Sequence, residues 1–188
     1  AEAALVAAGE PAIAPLAAAL DAADPSIAWA AAESLGVIGS DKAVAPLVAK
    51  LAGLDAVLRD YIVGALGAIG DVRALPDLVL AFGGHPEYHN EQPILRAILL
   101  FGRRAVRTLV ENLGAGDAGV RAGVLEALVR LEDTEHVTEV LPLLDDEDPL
   151  VRARAASYFA AAKDARAVDP LAALLEGADP DAAEEAAA

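Results

Sequence analysis

His85 and His89 stand four residues apart with Glu87 and Glu91 interleaved, a set of imidazoles and carboxylates of the kind that binds divalent ions. No H-E-x-x-H helix accompanies them, and Gly83, Gly84, Pro86 and Pro93 surround them, so nothing in the sequence holds the four groups in a fixed geometry. Residues 83 to 92 are therefore read as a solvated loop. His85 and His89 remain weak candidate ligands, and neither a metal nor a cofactor is expected. The chain has no Cys, no Gly-rich phosphate loop after a strand and no G-x-S-x-G elbow, which removes the common nucleophiles and phosphate cradles. The third histidine, His136, falls where Ala43, Ala74, Ala105 and Ala167 stand in neighbouring segments. It is read as a partly buried structural side chain bonded to a nearby carbonyl.

Those correspondences come from a ruler. Asp24, Asp55, Asp117, Asp148 and Asp179 are spaced on multiples of 31 residues, with Pro86 on the remaining mark. A second series runs through Leu20, Leu51, Phe82, Leu113, Leu144 and Leu175 at the same interval. A fixed period of this size signals a solenoid. The units are 1–23 (partial), 24–54, 55–85, 86–116, 117–147 and 148–178, with 179–188 opening another. We read residues 1–188 as one α-solenoid domain, a fragment of a longer chain whose exposed end repeats favour end-to-end self-association.

Each unit reads as two helices. Ile27, Ala31, Ala32, Leu35 and Ile38 recur at spacings of three and four, as do Leu58, Ile62, Val63, Leu66 and Ile69, the period of an amphipathic helix. Asp-Pro at 24–25 and 148–149 supplies an N-cap followed by a proline where no N–H is needed. Gly36, Gly39, Gly67 and Gly70 are expected to form the turns. Where Val129, Glu132, Ala160 and Lys163 replace them, a tighter turn or a longer first helix is expected. The second helices bury Val44, Leu47, Val48, Leu51 and their equivalents. Pro93 is expected to open a shortened first helix in the fourth unit.

Positions on the second helices that the core does not dictate carry the information on binding. One column reads Lys42, Arg73, Arg104, Glu135 and Arg166, a second Pro46, Asp77, Thr108, Glu139 and Pro170, and a third Ala49, Leu80, Glu111, Pro142 and Ala173. In the first column, pairing with the Asp near the same helix start is the structural expectation. The central units mix both charge signs with one exposed leucine. We take Arg73, Asp77, Leu80, Arg104, Arg107, Glu111 and Glu139 as the candidate partner-binding set. Arg59, Arg121 and Arg152 follow the Asp that opens the first helices and are read as solvated or paired across repeats. Trp29 and Tyr61 lie on the first helices, covering the seam between repeats.

The net charge of −16 opposes a nucleic-acid backbone, so no nucleic-acid partner is expected. No apolar run reaches the ~18 residues that span a bilayer. A cytoplasmic, non-membrane protein is the expectation.

The segments ESLGVIGSDKAVAPLVAKL and GALGAIGDVRALPDLVLAF share an LG-x-IG-D-x-x-A-V-x-P-L pattern that resembles the HEAT-like repeats of the phycobilisome-lyase class. The resemblance covers nearly the whole chain. It implies an all-α fold, a right-handed α-α superhelix with first helices convex and second helices concave. Such repeats serve adaptors, bilin lyases and iron hydroxylases. The hydroxylases carry His-Glu pairs on the first helices, whereas the matching positions here read Ala32-Glu33, Val63-Gly64 and Leu125-Glu126. The expected function is a protein-interaction scaffold that holds a protein or peptide on its concave face and is not an enzyme. A bilin-lyase-like or chromophore-handling module is the alternative, and a HEAT-like nucleic-acid binder is a more distant one.

Overall fold

The computed structural model describes residues 9–51, 56–83, 92–164, 166, 168 and 172. Within these the fold is all-α: α1 (Ile13–Ala19), α2 (Pro25–Ile38), α3 (Val44–Leu51), α4 (Ala56–Ile69), α5 (Leu75–Leu80), α6 (Gln92–Leu99), α7 (Val106–Glu111), α8 (Ala118–Arg130), α9 (Val137–Val140) and α10 (Pro149–Ala162). Long first helices alternate with short second helices, the α-solenoid architecture. His85, His89, Glu87 and Glu91 lie outside the described residues.

The chain packs as two compact units, Ala1–Ala81 with Asn90–Phe101 and Phe82–His89 with Gly102–Ala188. In the first, α2 packs on α1 and α4, and α4 on α3 and α6. In the second, α8 packs on α7 and α10. The buried stripes largely follow the sequence pattern, with Leu35, Leu47, Ile62, Leu66, Leu78, Leu109, Leu125 and Leu128 fully enclosed, while Ile38, Val48, Leu51 and Ile69 are only partly buried. Ile27 departs from the pattern. It is half exposed in the first turn of α2, and Ala28 begins the buried stripe instead.

Caps fix where the first helices begin. The Asp24 carboxylate accepts from the Ser26 N–H, Asp117 from Val120, and Asp148 from Leu150 and Val151, each satisfying donors that the first helical turn leaves open. Most second helices begin with a 3₁₀ turn: Asp41–Ala43 precedes α3, Val72–Ala74 precedes α5 and Gly102–Ala105 precedes α7. Pro46 thus falls in the first turn of a late-starting helix, where its missing N–H costs little. Pro142 has no N–H to donate to Thr138, so α9 stops at Val140 and continues as the 3₁₀ segment Leu141–Asp145. Pro93 sits second in α6, consistent with the shortened helix of the sequence pattern.

The turns correct one expectation. Gly36 and Gly67 lie inside α2 and α4 rather than in a turn. A Cβ on Gly36 would come within 2.9 Å of the Ala65 Cα, and one on Gly67 within 2.9 Å of the Ala97 Cα, so these glycines let successive first helices approach closely. Of these four glycines, Gly39 and Gly70, both at φ 68°, make the left-handed turn. Where glycine is absent the left-handed residue stays in register, and at Glu132 the turn tightens as expected, the Glu132 N–H donating to the Val129 carbonyl three residues back. Glu132 takes φ 55° and Lys163 φ 53°, and the Lys163 N–H still donates to the Phe159 carbonyl.

A non-glycine residue in this conformation carries a Cβ penalty. Lys163→Gly should therefore raise the unfolding free energy by about 1 kcal/mol. A urea titration showing no gain, or a loss, would mean that the Lys163 side chain offsets the strain.

Candidate functional site

The second helices do present the candidate residues outward. In the first unit Arg73, Asp77 and Leu80 are exposed at spacings of four and three, which places them on one face of α5 and its leading turn. Leu80 is 56% exposed. Arg73 is not available as an isolated cation. Its guanidinium donates to both oxygens of Asp71 and, through Nη2, to Asp41 Oδ2 at 2.8 Å. Arg73's side-chain and backbone hydrogen bonds hold the Asp71 carboxyl at about 2. The same arrangement recurs in the second unit, where Arg166 donates to Asp164 and to Thr138 Oγ1 and Asp164 is again held at about 2.

These contacts form a ladder between successive repeats. Glu10 meets Lys42 and Asp41 meets Arg73 in the first unit. In the second unit Arg103 meets Glu135 at 2.9 Å, the same positions with the charges exchanged. All these side chains are largely exposed, so solvent and salt screen each pair and it adds little to stability. The pairs' main effect is to neutralise the cations of the first column, Lys42 and Arg73 among them, locally.

The second unit gathers three of the four remaining candidates around a groove of about 430 Å³. Arg107, Glu111 and Glu139 line it, joined by Arg103, Glu135 and His136. Arg107 Nε donates to Glu111 Oε1 at 2.9 Å, one helical turn on. Arg104 is exposed but does not line this groove.

At the groove wall lies a network not apparent from sequence. His136 is half-buried and its Nδ1 lies 3.0 and 3.1 Å from the two oxygens of Asp133, so its partner is a carboxylate rather than the expected carbonyl. Asp133 is fully enclosed. Tyr158, on α10, donates its hydroxyl to Asp133 Oδ2 at 2.9 Å and accepts the His136 backbone N–H at 3.1 Å. Burial, then the bond to Asp133, pushes the Tyr158 phenol far above its usual range. An ionised carboxylate can only accept, so it holds the Nδ1–H tautomer of His136 and leaves Nε2 as an acceptor. Among the described residues no group of three or more His, Asp or Glu side chains is placed to hold a metal ion.

The repeat geometry has its counterpart in comparisons with known proteins. The profile of HEAT repeats matches residues 13–88 and 106–188, most of the chain. The chain belongs to the HEAT-repeat family. Among solved structures this HEAT-repeat chain is similar to the complex of CpcE and CpcF of phycocyanin lyase from Nostoc sp. PCC7120. The match has 20% identity, a TM-score of 0.46, and covers 98% of this chain and 85% of that one. It is also similar to an engineered protein, at 21% identity, with 93% of both chains covered and a TM-score of 0.47. No curated protein matches it. No described helix is long and apolar enough to cross a membrane.

HEAT helices α8 and α10 are braced by arginines that the sequence placed on the first-helix surface. Arg121 is buried and forms a bidentate pair with Asp146, at 2.8 Å from Nε and 2.7 Å from Nη2. Its Nη1 donates to the carbonyls of Ala115 and Gly116. Arg152 repeats the gesture on the carbonyls of Asp146 and Glu147. Both therefore fasten the loop preceding their own helix. Arg59, at the matching position of the first unit, is also buried.

Two predictions follow from these networks. Tyr158→Phe removes a donor from enclosed Asp133 and the acceptor of the His136 N–H, and should cost about 1–3 kcal/mol in a denaturant titration. A loss within experimental error would mean that water replaces the phenol. Burial alone would raise the Asp146 carboxyl, but Arg121 and the Asp148 N–H outweigh it and hold it below its ordinary range. Its folded-state value being lowered, its stabilisation is complete above the ordinary range and is lost as pH falls through the lower folded value. At neutral pH, Asp146→Asn should cost about 3–5 kcal/mol. The gap to wild type should narrow as pH falls below ~4, and a gap independent of pH would contradict the assignment.

Proposed function

We propose that this HEAT-repeat scaffold binds a protein or peptide partner on the face built by its second helices, the concave side of the expected superhelix. The observation that carries the reading is the second-unit groove, which collects Arg107, Glu111 and Glu139. In the first unit Arg73, Asp77 and Leu80 make an exposed stripe of both charges and one leucine on the equivalent element. None of these side chains is needed to fill the core. Planar, partly preorganised guanidinium groups flanked by carboxylates suit a partner of matching mixed charge. The internal ladder favours selectivity over attraction, because a partner must exchange one ion pair for another. The lyase-type alternative rests on the repeat alone.

The test is charge reversal at two positions. The Arg104→Glu, Arg107→Glu protein should weaken capture of its natural partner by at least about 2 kcal/mol with an unchanged helical spectrum. Proteins retained from the native source by wild type should be lost from this variant and kept by a Tyr61→Ala variant. The opposite pattern would move the partner to the first-helix face.

A further inference from the structure

The first-helix face of the first unit carries an apolar groove of about 530 Å³ across α2, α4 and α6. Its walls are Val37, 62% exposed, Leu100, 64% exposed, and Tyr61. Glu33 and Asp60 line it as well, and Gly64 lies on its floor. We propose that this groove is the docking site for a basic amphipathic helix of a protein partner.

The second unit contains the template for that charge preference. Glu126 stands 93 residues, three periods, after Glu33. Its carboxylate is clasped by Arg130 Nε at 2.8 Å and Arg154 Nη1 at 3.0 Å, which leaves the side chain only 12% exposed. Three periods before Arg130 and Arg154 stand Val37 and Tyr61. The first unit thus keeps the acid and replaces both of its cations with exposed apolar side chains. An incoming helix that brings Arg or Lys to Glu33 and apolar side chains to Val37, Tyr61 and Leu100 supplies what the second unit provides for itself. Asp60 lines the groove as a second acid and Arg96 as its one cation, so two carboxylates there face a single guanidinium. Burial pushes the Asp60 carboxyl upward against the opposing effect of Arg59 and Arg96.

Gly64 is the independent observation. It lies inside α4, where glycine costs about 1 kcal/mol relative to alanine. Gly36 and Gly67 are required by close packing, but a Cβ on Gly64 would meet nothing within 4 Å. The space it leaves faces outward, into the groove. A floor without side chain lets another helix backbone come to the short interaxial distances of small-residue contacts. Charge also selects the occupant, since a second copy of a chain of net charge −16 would approach against its own field, whereas a basic helix is steered in.

The protein carries its own reporter. Trp29 is the single tryptophan and stacks on Tyr61, with ring centroids 5.9 Å apart and planes 12° apart. The probe is a synthetic peptide of about 16 residues with Leu and Ala at helical spacing and Lys and Arg on the flanks. Its control keeps the apolar face and carries Glu instead. The basic peptide should bind saturably with a change in Trp29 emission, and the acidic control should not. Gly64→Leu should fill the groove and weaken binding at least about tenfold, with the helical spectrum retained. Glu33→Gln with Asp60→Asn should weaken it comparably and reduce its salt dependence. Arg104→Glu with Arg107→Glu should leave this affinity unchanged, which separates failure here from failure of the second-helix reading. No saturation up to about 1 mM, equal binding of the two peptides, or indifference to Gly64→Leu would overturn the proposal. So would self-association of the free protein abolished by Gly64→Leu, which would assign the groove to a second copy.

Discussion

A helix pair of this size cannot enclose its own apolar stripe, and the rest of the molecule follows from that deficit. The column Leu35, Leu66, Ala97, Leu128 and Phe159 supplies one residue per repeat, and each is buried. Burial at every position requires a neighbouring pair at a fixed offset, so the interval of 31 residues is an energetic requirement. The left-handed turn serves the same end. It is kept at Glu132 and Lys163 although neither is glycine, because moving it would carry the following helix away from the stripe it must cover.

That requirement explains what could be read in the sequence. The stripe, the Asp caps and the outward columns are set by local spacing, and Asp24, Asp117, Asp148, Leu66 and Leu80 stand where the pattern puts them. The roles of Gly36 and Gly67 were not legible, because a close approach between helices leaves the same residue type as a turn. Nor were the partners of Asp133 and Arg121. Tyr158 lies in the next repeat, 25 residues beyond Asp133, and Asp146 closes the same repeat that Arg121 opens, 25 residues on, so neither contact shows in local helical spacing. The signal available for the first was the ring of His136 in a column of alanines.

Of the candidate binding set, exposure was legible and pairing only partly so. Arg73 pairs with Asp71, as the sequence suggested for its column, and also with Asp41 of the preceding repeat. The reversed polarity of Arg103 and Glu135 preserves that ladder while changing which sign each position offers. A surface of exposed charges can thus vary between repeats without disturbing the frame. The first-helix groove was missed altogether. Its evidence is a comparison between Glu33 and Glu126 in which two arginines become Val37 and Tyr61, and that comparison gains meaning only once the clasp on Glu126 is seen.

The tie between Asp133 and Tyr158 bears on how such arrays can be cut and recombined. Repeats held together by apolar columns alone are interchangeable parts, since any neighbour with the same stripe will serve. The segments 117–147 and 148–178 are not interchangeable in this sense. One buries a carboxylate whose hydroxyl donor is carried by the other. Duplication, deletion or transplantation at their junction would separate an acid from its donor, so these two segments would have to be engineered as a single cassette.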